Sequence, residues 1–147
     1  MVLTAAGAVA VVDYTHLAEQ LEKHEGFREK PYRCTSGKLT IGIGRNIEDN
    51  GITYSEAMHL LSNDICAIGE DIQRWLPWVH DLDDTRQRVV YDMAFNMGIN
   101  RLLKFRKMLA ALKARDYKTA SVEMMDSRWA RQVKTRAETL SKMMEDG

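Results

Sequence analysis

Three short stretches of this chain carry side chains fit for proton transfer. Glu25-Gly26 closes an apolar-periodic run, Tyr32-Arg33-Cys34-Thr35 follows it, and Thr40-Ile41-Gly42-Ile43-Gly44 comes next. A carboxyl group at the C-terminal end of a helix faces the negative end of the aligned peptide dipoles. That setting favours the protonated form, which a general acid needs. Taken alone, Glu25 has a plainer reading as an exposed helix-end glutamate, because most carboxyls so placed are not catalytic. No metal chemistry is indicated. His16, His24, His59 and His80 are scattered, and Cys34 and Cys66 show neither CxxC nor Cys/His spacing. No cofactor is implied.

The elements that must position these residues are legible as patterns. Residues 13–28 read as a helix capped by Asp13 or Thr15, with Leu17, Leu21 and His24 on one stripe. Pro31 blocks its continuation. Residues 32–44 read as a β-hairpin around the turn Thr35-Ser36-Gly37-Lys38. Gly42 and Gly44 stand where the backbone must bend or approach a ligand, and both are read as substrate-binding. Residues 46–51 read as a polar loop. Thr53-Tyr54-Ser55-Glu56 fits a capping box, followed by a long helix to about Arg74 with Ala57, Leu60, Leu61, Ile65 and Ile68 along one side. Pro77 ends it in a corner where Trp75 and Trp78 are expected to cap the core. A second long helix spans 81–97 and stops at Gly98. Helices over 99–113, 117–125 and 131–144 complete the chain. The methionines Met93, Met97 and Met108 read as core filling. This is an α+β, mainly helical pattern: a single domain over 1–147, with a small β-hairpin lobe (about 32–53) and a larger helical lobe (13–31 and 54–147).

Composition narrows the function classes. With 147 residues, the chain can bury a true core. Lysine and arginine total 21, as do aspartate and glutamate. This balance argues against binding nucleic acid by phosphate neutralisation, and against strong attraction to anionic membranes. Binding to a large polymer must then come from a shaped cleft or a local patch. The apolar stretch from Val2 to Val12 is too short to span a bilayer and lacks a basic n-region, so it reads as an N-terminal arm.

The run HEGFREKPYRCTSGKLTIGIGRN resembles the signature of the T-even phage-type lysozymes (endolysins of glycoside hydrolase family 24). Tyr91-Asp92-Met93-Ala94-Phe95-Asn96-Met97-Gly98 is similar to their central-helix segment. Ser127-Arg128-Trp129 with Arg136-Ala137 is similar to a late segment of theirs. The motifs occur in the family's order, and the resemblance covers about Leu17 to Gly147. It implies a two-lobed lysozyme-like fold with a cleft between the lobes.

The resemblance also implies roles. Glu25 matches the general acid, and Thr40 the threonine that positions water. Cys34 falls where most relatives carry the second catalytic carboxylate, an aspartate, so the two-carboxylate template is broken here. A thiolate can serve as an anion, a base or a nucleophile. Cys34 is read as a functional substitute, with a lost site as the alternative. Arg136 matches an arginine close to the catalytic glutamate. Arg45 and Asp64 match a structural pair tethering the hairpin lobe to the long helix, and Asn96 matches the cleft wall. The matching positions set Cys34 and Cys66 too far apart for a disulfide.

The implied activity is that of a muramidase cutting the β-1,4 bond between N-acetylmuramic acid and N-acetylglucosamine in bacterial peptidoglycan. A lytic transglycosylase on the same fold and an inactive peptidoglycan-binding module are the rival readings. The family implies a monomer made in the host cytoplasm, without stable membrane insertion. It would act on the wall in the periplasm after a holin has opened the membrane.

Overall fold

A computed structural model describes residues 12–147. The apolar stretch read as an N-terminal arm lies, apart from Val12, outside the described residues. The architecture is mainly helical α+β, as expected, with a small antiparallel sheet near its start. It divides into two compact units, one ending at Ala57 and one spanning Met58–Gly147. The first helix, grouped with the helical lobe in the sequence reading, falls with the sheet in this division.

In the first unit, α1 (Tyr14–Glu25) is capped by Asp13, whose carboxylate accepts from the N–H groups of Thr15 and His16. It ends earlier than Arg28 because Gly26 takes a positive φ of 73° and returns its N–H to the Glu22 carbonyl. Strand β1 (Arg28–Arg33) then pairs with β2 (Leu39–Gly42), which pairs with β3 (Arg45–Asn46), all antiparallel in the order β1-β2-β3. The β1–β2 register breaks between Arg28 and Tyr32, the interval that holds Pro31 and its missing N–H.

The turn from β1 to β2 closes with the Gly37 N–H on the Cys34 carbonyl at 2.8 Å. Gly37 has φ +80° there, which only glycine adopts without strain. The expected polar loop after Arg45 contains β3 and a one-turn helix, α2 (Ile47–Asn50), because Asn46 caps the Asp49 N–H. Lys38 reaches Asp49 at 2.8 Å and Arg33 reaches Glu48 at 3.3 Å, tying α2 to the hairpin. The capping box forms as read. The Glu56 carboxylate accepts from the Thr53 N–H at 2.6 Å, and the Thr53 hydroxyl accepts from the Glu56 N–H at 3.2 Å. These bonds start α3 (Tyr54–Trp75).

The second unit is helical. A 3-10 turn (Pro77–Asp81) opens on Pro77, and α4 (Asp84–Met97) begins only after the Asp83 cap, three residues later than expected. Then come α5 (Ile99–Leu102), α6 (Arg106–Lys113), α7 (Tyr117–Met125), α8 (Arg128–Val133) and α9 (Thr135–Asp146). The expected final helix is therefore two helices, broken where Lys134 takes φ +44°. Ile72, Val79, Val89, Val90, Met93, Leu102, Met108, Leu112, Met124 and Met144 are almost wholly buried. Each such side chain contributes about 1.5–3 kcal/mol. Met93 and Met108 do fill the core. Trp78 packs against it, whereas Trp75 is 57% exposed and caps nothing.

Arg86 anchors the last helix to α4. Its Nε donates to the Met144 carbonyl and its Nη2 to the Glu145 carbonyl, both at 2.9 Å. Its Nη1 meets Asp83 at 2.9 Å, and the guanidinium lies 3.5 Å over the Tyr117 ring. A cation here also complements the negative end of α9. Arg86→Ala should lose charge-assisted hydrogen bonds and a stacked cation, about 2–4 kcal/mol together. The expected drop in Tm is about 5–15 °C. A thermal melt within about 1 °C of the parent would show that the clamp contributes nothing.

Candidate active site

Glu25 is the last residue of α1, and Gly26 turns the chain so that the sheet returns beside it. Gly42 and Gly44, with φ +66° and +68°, bend the backbone between β2 and β3. A Cβ added to Gly44 would lie 2.9 Å from both Cδ and Oε2 of Glu25. The Glu25 carboxyl thus rests against the Gly44 backbone in space that no side chain can share. Gly44→Ala should push the carboxyl aside and strain the turn. A displacement of a few tenths of an ångström should lower any Glu25-dependent rate by about tenfold, against about 10²-fold for 1 Å. Undiminished turnover by a folded Gly44→Ala protein would show that this contact does not set the carboxyl.

Cys34 and Thr40 are brought together by one carbonyl. Lys38 O accepts the Cys34 N–H and the Thr40 hydroxyl, each at 3.0 Å. Thr40 lies in β2 and is buried, so its hydroxyl is held where the sheet puts it. The Cys34 sulfur lies 3.0 Å from the Ser36 hydroxyl. That hydroxyl, the Ser36 and Lys38 N–H groups and the Thr40 hydroxyl favour the anion. Together they outweigh desolvation and bring the Cys34 thiol down from 9.0 to about 7. A group so tuned is part thiolate at neutral pH. Cys34 and Cys66 are both free thiols.

Arg45, in β3, donates to the Gly51 carbonyl at 3.0 Å and meets Glu56 at 3.4 Å. Glu56 is the acid it meets within this unit. Asp64 lies on α3 in the second unit.

In the second unit, Asn96 near the end of α4 accepts the Trp129 indole N–H at 2.7 Å. Trp129 is buried and so fixes the amide. The amide carbonyl is thereby engaged, and its NH₂ remains as a donor. Arg136 on α9 donates from Nε to Asp92 at 2.8 Å. Both line a groove of about 820 Å³ whose floor includes Leu61, Ile65, Phe95 and Met143. A second groove of about 800 Å³ is lined by Arg101, Lys104, Arg106, Lys107 and Arg128 against Glu123 and Asp126. The neutral chain therefore concentrates positive charge locally, as binding to an acidic polymer by a patch would require.

Sequence reasoning missed Ser36, the Lys38 carbonyl and Asp92. Ser36 had a signal, since a hydroxyl residue two places after a cysteine in a tight turn can reach back to it. The carbonyl had none, being a property of backbone geometry.

Among the described residues, no group of acidic, histidine and cysteine side chains could hold a metal ion. No described helix is long and apolar enough to cross a membrane.

Residues 22–144 match the family described as Phage lysozyme. The chain is 31% identical over 159 aligned positions to the pre-baseplate central spike protein Gp5 of Enterobacteria phage T4, across 89% of this chain and 28% of that protein. It is 26% identical to the probable T4-type lysozyme 1 of Dictyostelium discoideum, across 89% of this chain and 94% of that one. Against the endolysin of Acyrthosiphon pisum secondary endosymbiont phage 1 the identity is 29%, across 79% and 81%. The chain therefore spans well under a third of the spike protein but nearly the whole of the Dictyostelium one.

Proposed function

Because the chain belongs to the phage lysozyme family, we propose that it is a muramidase. It hydrolyses the β-1,4 bond between N-acetylmuramic acid and N-acetylglucosamine and serves host lysis by a phage or prophage. The observation that carries this reading is the pairing of two devices in one unit. The Glu25 carboxyl is seated on Gly44, and Cys34, through its backbone N–H, shares the Lys38 carbonyl with the Thr40 hydroxyl. An acid and an anion or base are the two functions that glycoside hydrolysis requires.

Glu25 protonates the leaving oxygen. Cys34 with Thr40 then supports attack at the anomeric carbon by one of two routes. If Cys34 takes a proton from water as the water attacks, the configuration inverts. If the sulfur attacks first and water later displaces it, the configuration is retained. Asn96, Gly42 and Gly44 bind the sugar. Arg45, paired with Glu56, supports the hairpin, and Arg136, paired with Asp92, supports the wall of its own groove. Peptidoglycan is the partner, the active species is a monomer, and no cofactor enters the chemistry. The enzyme is made in the host cytoplasm and reaches the wall in the periplasm once a holin has opened the membrane.

A cysteine where an aspartate is usual favours one second reading, a lytic transglycosylase, which needs the acid but no group to activate water. Purified peptidoglycan incubated with the protein should lose turbidity and release muropeptides with ordinary reducing ends. Products ending in an anhydro sugar would establish the transglycosylase. Wall binding without loss of turbidity would establish an inactive binding module.

A further inference from the structure

The turn that carries Cys34 is built around its sulfur. The Gly37 N–H closes it on the Cys34 carbonyl, the Cys34 N–H closes it on Lys38 O, and Ser36 Oγ stands 3.0 Å from Sγ. A hydroxyl beside a thiol can donate or accept, but beside a thiolate it can only donate.

The possible donors are not equal. The Thr40 hydroxyl has one proton, directed to Lys38 O at 3.0 Å, and so contributes least to the anion. The backbone N–H groups of Ser36 and Lys38 are fixed by the turn. Among the described residues the Ser36 hydroxyl makes no other hydrogen bond, so its proton is free for the sulfur.

The charged groups nearby are engaged with one another. Lys38 Nζ is 2.8 Å from Asp49 and 3.8 Å from Glu48. Arg33 spans the Gly37 carbonyl at 2.7 Å and Glu48 at 3.3 Å. Lys38 keeps a Coulombic interaction with Cys34 that ranks last among the influences on its ammonium, so the Ser36 hydroxyl stands as the side-chain donor committed to the sulfur.

We propose that Ser36 is a positioning residue for the Cys34 sulfur: its hydroxyl donates to the thiolate and holds it in the anionic form that attack on a glycosidic bond calls for. The inference rests on the reading of Cys34 as the second functional group, but its first test needs no lytic activity.

In a Cys66→Ser background, iodoacetamide alkylates Cys34 alone. The thiolate forms the S–C bond and iodide leaves with the C–I electron pair, so the rate follows the thiolate fraction. Measured from about pH 5.5 to 9.5, the parent should reach half its maximal rate near pH 7. Ser36→Ala should move that midpoint up by about one pH unit, and so lower the rate at pH 7 by about fivefold. Ser36→Thr keeps the hydroxyl and should restore the parental profile. Lysis by Ser36→Ala should fall more at pH 7 than at pH 9.

Coincident alkylation profiles for the parent and Ser36→Ala would overturn the role of Ser36 and leave the reading of Cys34 standing. A shifted alkylation profile with an unshifted pH dependence of lysis would overturn both the part of Cys34 in hydrolysis and the catalytic value of Ser36. Far-UV circular dichroism should match the parent throughout, since Ser36 lies on an exposed turn.

Discussion

Glu25→Gln should abolish lysis to within a small residual rate, a loss of at least about 10²-fold and up to about 10⁴-fold. Glutamine keeps the shape of glutamate, and the seat against Gly44 admits it without a new clash. What it removes is the transferable proton. The substitution should therefore leave Tm and wall binding nearly unchanged while turbidity stays constant. Binding without turnover by Glu25→Gln, beside a fully active parent, would separate the acid's chemical part from any part in holding the polymer. A glutamine variant that clears a wall suspension at the parental rate would show that the leaving oxygen takes its proton from elsewhere.

The second large effect concerns the opposite face of the bond. Cys34→Ala deletes the anion and should lower lysis by about 10²-fold. Cys34→Asp restores a carboxylate and should stay within roughly tenfold of the parent. The two active forms should differ in their acid limb. The Cys34 thiol, held down to about 7 chiefly by the Ser36 hydroxyl, loses its charge as the pH falls through that value. The parent rate should fall with it. An aspartate stays ionised to about pH 4, so Cys34→Asp should keep its rate across the window in which the parent loses it. Identical acid limbs for parent and Cys34→Asp would mean that the sulfur's charge does not govern the rate. Near-parental lysis by Cys34→Ala would leave Glu25 acting with Thr40 and water alone.

The parts of this fold that the sequence made legible are those in which a local rule dominates. Asp13, Thr53 with Glu56, Gly98 and the glycines of the hairpin each meet a requirement set within four residues, and each appears where its pattern said. Misplaced boundaries arise where weak local preferences compete. Asn46 to Gly51 is polar enough to read as a loop, yet Asn46 is also a good cap, and one helical turn forms behind it. Strand β3 has two residues, too few to show alternation. Lys134 sits in an otherwise helical stretch, and only its positive φ divides α8 from α9.

The candidate site divides in the same way. Glu25 and Cys34 stand out by chemical type and by neighbouring glycines. The contacts that tune Cys34 come from the Ser36 hydroxyl and from backbone N–H groups of the turn, and residue types do not encode where a backbone group points. Asp92 carries no local signal of its role, because its partner Arg136 is distant in sequence.

The irregular first strand has a bearing on self-association. In the order β1-β2-β3, β1 is an outer strand, and a long regular outer strand is a template for another chain. Here Pro31 supplies no donor, the register breaks around it, and Arg28, Glu29, Lys30 and Arg33 load the strand with charge. A second copy approaching that border would find a gap in the ladder and would have to desolvate four ions to reach it. The register break at Pro31 and the charges beside it thus protect the sheet from growing by addition of another strand.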